Sequence, residues 1–392
     1  MSDYKYIIVG AGMTADSALK GIRETDNSGS IAVFGEEKDP PYNRPPLSKG
    51  LWKGDPIESI WRGGEYKNVD FFPSTRITSL DLSHNTVRSP DGKTHRYEKL
   101  LLATGGRPTT FPFGGENVIY FRTLEDYRRL RSLTEHGSEF VVVGAGFIGS
   151  EIAAALAMNG KRVTMIFPDE GVGTRMYPKS LASFLVSYYR EKGVNILNDD
   201  SVRGIERKDG GVTVITEGGE QISADAVVAG LGITPNDVLA RIAGLQTDNG
   251  IIVDEMLRTT TPNVYAAGDV ANFHNELLNK RMRVEHEDNA NTMGVTAGHN
   301  MAGLSEPYRH LPFFYSDLFD LGYEAVGELD SRLETFEDWD EEFQKGVIYY
   351  LREGYVRGVL LWNTWGKVGA AREIIGSGKR HTRGSLKALI SE

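Results

Sequence analysis

The stretch Phe140–Gly160, "FVVVGAGFIGSEIAAALAMNG", decides how the rest of the chain is read. An apolar run, Phe140–Val143, enters Gly144-Ala145-Gly146-Phe147-Ile148-Gly149, and an alanine-rich segment leaves it. The pattern predicts a buried strand, a tight glycine turn and a helix. Gly144 makes the turn, Gly146 lets the backbone approach a pyrophosphate, and Gly149 permits close packing of helix on strand. The helix N-terminus then offers its free N–H groups to the anion. Asp169 follows Gly149 by about 20 residues, after the strand "RVTMIF", where a carboxylate accepts hydrogen bonds from both hydroxyls of a ribose. Glu151 fits this account poorly. A first-turn acid complements the helix dipole when exposed, but on a helix that packs down it needs a partner.

The same unit occurs near the N-terminus. "KYIIV" leads into Gly10-Ala11-Gly12-Met13-Thr14-Ala15 and a helix, with Ala15 in place of the third glycine. Glu36 closes the next strand, "SIAVFGEE", about 20 residues beyond Ala15, again in position for a ribose. Two complete units predict two dinucleotides on one chain, a hydride donor and a flavin that receives the hydride.

The 392 residues suffice for two or three domains, and with 40% hydrophobic and 25% charged residues the chain is expected to be globular. The balance of 44 basic against 54 acidic residues, a net charge of −10, argues against nonspecific nucleic-acid binding. No apolar run approaches the roughly 18–20 residues of a membrane span. "MSDYKYIIVG" enters a strand almost at once, so a soluble cytoplasmic protein is expected. The cysteine count is zero. That excludes a disulfide, a thiolate metal site and a cysteine nucleophile. No metal site is expected.

Between and beyond the two units, "PPYNRPPLSKGLW" (Pro40–Trp52) is too rich in proline for a regular helix or a central strand at its start. "YEKLLLATGGRP" predicts a strand closing on a Gly-Gly turn, and "YFRTLEDYRRLRSLTEHG" a helix. From about Val202 to Gly230 the pattern is β, with turns at Asp209–Gly211 and Glu217–Glu220. "NVYAAGDVA" is a strand running into a turn, and "EDNANTMGVTAGHNMAG" a helix stopped by glycine. After Pro307, "EAVGELD", "GVIYYL" and "YVRGVLLWN" predict three antiparallel strands, and "KVGAAREIIGSG" a helix. The basic tail Lys379, Arg380, His381 and Arg383 reads either as a patch for an acidic partner or as a solvated, mobile end.

"PPYNRPPLSKGLW", "LLATGGRP", "GFIGSE", "YAAGDVA" and "RVEHEDNA" together resemble the pyridine-nucleotide FAD oxidoreductases of the ferredoxin-reductase type. "FPDEG", "FFYSDLFDLGYEAVGELD" and "KGVIYYLREGYVRGVLLWN" look most like the apoptosis-inducing-factor branch. The resemblance runs from Tyr6 to about Gly376. It lacks the long C-terminal insertion of that branch, so a death-signalling role does not carry over. The fold implied is α/β, with two Rossmann-like dinucleotide-binding domains of glutathione-reductase type plus a C-terminal α+β domain. The FAD-binding domain would be discontinuous, 1–109 and 243–304. Residues 110–242 would bind NADH, and 305–392 would cover the flavin.

The resemblance also implies roles for residues. Lys49, in "RPPLSK", would lie by flavin N5 with Glu151 as its partner. Thr104 and Gly105 of "LLATGGRP", Arg44 and Arg122 would touch FAD, although each arginine taken without the motifs around it reads rather as a solvated surface charge. Gly268-Asp269 would place Asp269 on the FAD ribityl or pyrophosphate. Glu285 and His286 begin a helix aimed at the flavin pyrimidine edge, and His286 also reads as an ordinary helix-start histidine. Tyr315 matches an aromatic position beside the isoalloxazine, or is a core tyrosine. Arg175 would clamp the NADH pyrophosphate or an adenine face, or pair with the 2′-phosphate of NADPH.

The expected function is an FAD-dependent NADH oxidoreductase, with NADPH the less favoured donor. Lacking a thiol, it would pass electrons from the flavin to a ferredoxin or rubredoxin, a quinone or a small oxidant. A homodimer is left open. The alternative is a slow NADH-responsive redox sensor or interaction protein, as in apoptosis-inducing factor.

Overall fold

A computed structural model describes residues 2–64, 66–208 and 210–390. Contacts gather the chain into two compact units. The first comprises Met1–Arg44, Ile57–Arg107 and Thr234–Pro312, the second Pro45–Pro56, Pro108–Ile233 and Phe313–Glu392.

In the first unit the strand Ser2–Val9 lies between Ile31–Phe34 and Thr94–Leu102, parallel to both. Val69–Phe72 extends the sheet beyond Ile31–Phe34, and Val264–Ala266 pairs with Thr94–Leu102, again in parallel. Tyr6–Val9 are buried in succession, which explains a continuous apolar run where a half-exposed strand would alternate. Helices Met13–Thr25 and Glu287–Met301 pack on each other at backbone distance. A Cβ on Gly294 would lie 2.6 Å from the Thr14 carbonyl oxygen, and one on Gly298 2.3 Å from that of Ala18. The crossing therefore requires glycine at both positions.

The second unit contains a five-stranded parallel sheet in the order Val194–Asn198, Arg162–Phe167, Glu139–Val143, Ala226–Ala229, Val118–Tyr120. The antiparallel strands Val202–Lys208, Gly211–Thr216 and Gln221–Ala224 account for the β pattern after Val202. Of the first turn expected there, Asp209 lies outside the described residues. The Glu217–Glu220 turn forms, with Gly219 in the left-handed region at φ +90°.

Helix Phe147–Met158 is buried continuously from Gly149 to Leu156. A helix enclosed on all sides has no polar face to display, so its sequence shows no amphipathic period. It touches the strands Glu139–Val143, Arg162–Phe167 and Phe313–Leu318, and the 3₁₀ turn Pro45–Ser48. That surrounding explains why Glu151, on this helix, is 3% exposed.

The C-terminal sheet has five antiparallel strands rather than three, ordered Phe313–Leu318, Leu321–Gly327, Tyr355–Trp362, Lys345–Arg352, Glu334–Glu341. The two outer strands were missed. Glu334–Glu341, "ETFEDWDE", is an edge strand, and edge strands tolerate charge that inner strands do not.

The basic tail is not a free end. Arg380 forms a β-bridge with Tyr355 and stacks over its ring, 5.8 Å from the centroid. Thr382 and Ser385 build a capping box on helix Arg383–Leu386, and Leu386 is fully buried. No helix among the described residues is long and apolar enough to cross a membrane.

Candidate functional site: two glycine cradles and a buried ion pair

In the first unit the predicted residues converge on one turn. Gly10, at φ +117°, lies so close to the neighbouring strand end that a Cβ would come within 2.0 Å of the Ala103 carbonyl oxygen. This brings Thr104 beside the turn. Thr104 Oγ1 donates to the Asn236 carbonyl (2.8 Å), and Asn236 Nδ2 donates back to that of Thr104 (2.9 Å). Gly105 follows at φ +63°. Gly268 abuts Thr14 of the first helical turn, where a Cβ would sit 2.2 Å from Oγ1, so Asp269 is delivered to the same helix end at 8% exposure.

Gly12 behaves differently. A Cβ built on it meets nothing within 4 Å. It caps helix Met13–Thr25 without a side-chain hydrogen bond. A backbone that opens onto free space at a bare helix N-terminus is the cradle a pyrophosphate needs. Ala15 is buried and packs inward.

Other predicted residues sit among charged partners. Glu36 is exposed and paired with Arg76 at 3.1 Å. Arg44 binds Glu37, and Tyr42 donates to the same carboxylate at 2.6 Å. Glu285 pairs with Arg283 at 2.6 Å, and Arg283 also donates to the Asp269 carbonyl at 3.0 Å. His286 is the N-cap of helix Glu287–Met301. Arg283 and Glu37 escaped the sequence reading because a surface charge and a site charge look alike until folded.

The second unit repeats the cradle. Gly144, at φ +100°, presses on Gly230, where a Cβ would lie 2.5 Å from the carbonyl oxygen, and one on Gly149 would strike that of Gly144 at 1.9 Å. Gly146 again faces open space, and caps helix Phe147–Met158 with no side-chain bond. Phe147 is 40% exposed and Ile148 is half-buried. Gly173 N–H donates to the Ala145 carbonyl at 3.0 Å, so the loop carrying Asp169 and Arg175 reaches the turn. Both those residues are exposed, while Glu170 is tied to Lys179 at 2.9 Å. The Arg122 backbone N–H donates to Asp126 at 3.1 Å, in the entry to helix Leu124–His136.

Lys49 and Glu151 meet within this unit at 2.7 Å. Their side chains are 11% and 2% exposed. The Lys49 ammonium also stands 5.2 Å from the Tyr315 ring centroid. The proline-rich segment is held in 3₁₀ turns by Trp52, whose indole donates to the Leu47 carbonyl at 2.7 Å. Two further donors reach the same carboxylate: Ser48 Oγ to Oε2 at 2.5 Å and Ser316 Oγ to Oε1 at 2.6 Å. Sequence reasoning missed both serines. Ser48 is the neighbour of Lys49 and Ser316 of Tyr315, and adjacency is the only signal either carried. Among the described residues no three His, Cys, Asp or Glu side chains gather as a metal site.

The profile of the pyridine nucleotide-disulphide oxidoreductases matches residues 4–294. The chain belongs to this family. Its members' disulfide chemistry is closed to it, for it has no cysteine. A second profile, the C-terminal domain of mitochondrion-associated apoptosis-inducing factor, matches 297–340 and 336–377. The mitochondrial apoptosis-inducing factor 1 of Dictyostelium discoideum is 34% identical, over 96% of this chain and 79% of its own. The ferredoxin–NAD(+) reductase component of an anthranilate 1,2-dioxygenase system from Burkholderia cepacia is 32% identical, over 96% and 95%. A covalent putidaredoxin reductase–putidaredoxin complex contains a chain of the same fold, with TM-score 0.92, 29% identity and coverage of 100% and 97%. This family member is therefore a flavoprotein oxidoreductase with two dinucleotide-binding domains and a C-terminal sheet domain, using FAD and a nicotinamide dinucleotide. The two open cradles fit those ligands.

Proposed function

We propose that the protein is an NADH-dependent reductase whose electrons leave the flavin for a small iron–sulfur protein. The observation that carries this reading is two dinucleotide cradles in a chain with no cysteine. A family member without a thiol has no relay between flavin and acceptor, so the acceptor meets the flavin directly. The ferredoxin-reducing relative, similar over nearly its full length, supports a protein acceptor.

When bound, FAD supplies a centre that accepts hydride and releases electrons. FAD is assigned to the Gly10–Ala15 cradle with Glu36, Thr104 and Asp269, and to residues 1–109 and 243–304. NADH is assigned to the Gly144–Gly149 cradle within 110–242. Glu36 and Asp169 accept from ribose hydroxyls, and the helix ends at Gly12 and Gly146 donate to pyrophosphates. Glu151 holds the Lys49 ammonium in place at 2.7 Å. Buried charges persist only when paired and hydrogen-bonded. The Glu287–Met301 helix, capped by His286 with Glu285 just before it, would offer its positive end to negative charge on the bound flavin.

The match to the apoptosis-inducing-factor C-terminal domain supports a second reading, a redox sensor whose reduced form persists. Stopped-flow reoxidation separates the two. The reductase reading expects rapid reoxidation by a ferredoxin or rubredoxin. Slow reoxidation by every iron–sulfur protein, quinone and small oxidant tried would replace it with the sensor.

A further inference from the structure

The Lys49–Glu151 pair is held by more than its own charges. The Glu151 carboxylate takes donors on both oxygens: Lys49 (2.7 Å) and Ser316 (2.6 Å) on Oε1, Ser48 (2.5 Å) on Oε2. An ion pair alone leaves the carboxylate free to turn, since its terminal torsion is broad and two-fold. A hydroxyl on each oxygen removes that freedom. Glu151 and the two serines come from a helix, a 3₁₀ turn and a strand.

Each serine is itself fixed. Ser48 is 5% exposed and ends the turn that Trp52 locks. The Asn159 amide, at the end of the Glu151 helix, donates to the Trp52 carbonyl at 3.0 Å. Ser316 is 1% exposed and opposite Tyr323 in the antiparallel ladder. Tyr323 is stacked on Trp362 at 5.7 Å, with both rings fully buried.

We propose that Ser48 and Ser316 are positioning residues for hydride transfer: they orient Glu151, and through it the Lys49 ammonium. The inference rests on the reductase reading above. An ammonium has three N–H donors on a flexible stem and by itself selects no direction. The clamped carboxylate takes one donor along a fixed line, with the Tyr315 ring centroid 5.2 Å from the ammonium.

The test compares Ser316→Ala, Ser48→Ala and Ser316→Thr in the FAD-loaded protein. Rapid-mixing reduction by NADH, its pH profile, the flavin midpoint potential and thermal unfolding are recorded for each. Both alanine variants are expected to keep flavin and NADH affinity but to reduce about tenfold more slowly, a hydrogen bond to a charged group being lost. Their pH profiles and midpoint potentials shift as Lys49 loses its fixed partner, and Ser316→Thr, which keeps the hydroxyl, restores both. In a Glu151→Gln background Ser316→Ala costs much less, since the two act through one group. A wild-type rate and pH profile in both alanine variants would overturn the proposal. So would a Ser316→Ala loss of equal size with and without Glu151, or a change confined to thermal unfolding. A wild-type protein that carries flavin but is not reduced by NADH or NADPH would overturn the reductase reading instead, before any variant is made.

Discussion

The Lys49 ammonium and the Glu151 carboxylate lie 2.7 Å apart, almost wholly out of solvent, on a proline-rich turn and a buried helix. Glu151→Ala leaves the ammonium without its counter-charge, and Glu151→Gln keeps the shape while removing the charge. Both are expected to slow flavin reduction by NADH at least about tenfold, equivalent to ~1.4 kcal/mol of transition-state stabilisation. Retained flavin, measured as the absorbance ratio of purified protein, should stay near wild type. A fully active Glu151→Ala enzyme would remove the pair from the mechanism.

The four turn glycines separate ligand from fold. Gly12→Val and Gly146→Val place side chains in open space, so folding should survive while FAD and nicotinamide binding, respectively, are lost. Gly10→Val forces a positive φ on a β-branched residue and drives its Cβ into the Ala103 carbonyl. That change should destabilise the fold itself, by ~1–3 kcal/mol from backbone strain alone. Denaturant unfolding without added cofactor distinguishes the two classes. Equal stability losses at Gly10 and Gly12 would contradict the assignment of Gly12 to a cradle.

NADH is expected to be preferred over NADPH by at least about tenfold in kcat/KM, or ~1.4 kcal/mol. Asp169 is exposed and free to accept from a ribose, while Glu170 is occupied by Lys179. Asp169→Ala should narrow the gap chiefly by weakening NADH. Steady-state kinetics with both donors decide it. Equal rates in the unmutated enzyme would assign control to Arg175.

His299 bridges two carboxylates, Glu24 at 2.6 Å and Glu306 at 2.7 Å. Partial burial disfavours its charge, but the hydrogen bonds it donates to Glu306 and Glu24 outweigh that and raise its pKa above the ordinary imidazole value. A histidine whose pKa is higher folded than unfolded contributes its full stabilisation below the unfolded pKa, about 6.5. The contribution is lost as pH rises through the folded value. His299→Gln should therefore cost stability near pH 5–6 and little at pH 9. Thermal unfolding across that range checks it, and a variant whose deficit grows toward alkaline pH would reverse the sign.

What the sequence determined by itself was local. A positive φ at Gly10 and Gly144, and a backbone surface left bare at Gly12 and Gly146, are demands made by a few adjacent residues. Such demands are written in the glycine spacing, and with them came the strands, the helices and the two-dinucleotide fold. The absence of cysteine needed no structure at all. The tertiary structure alone decided which charges are partners. Arg44 turned out to hold Glu37, Arg283 to join Glu285 to Asp269, and Arg380 to lie on Tyr355. The strand Glu334–Glu341 became legible only beside Lys345–Arg352, because its charged sequence, "ETFEDWDE", shows no regular apolar alternation. Ser316 lies 165 residues from Glu151, and Ser48 lies 103 away. A serine's hydroxyl makes the same local signal in a turn, a strand or a carboxylate clamp, so only the packing that closes those separations distinguishes them.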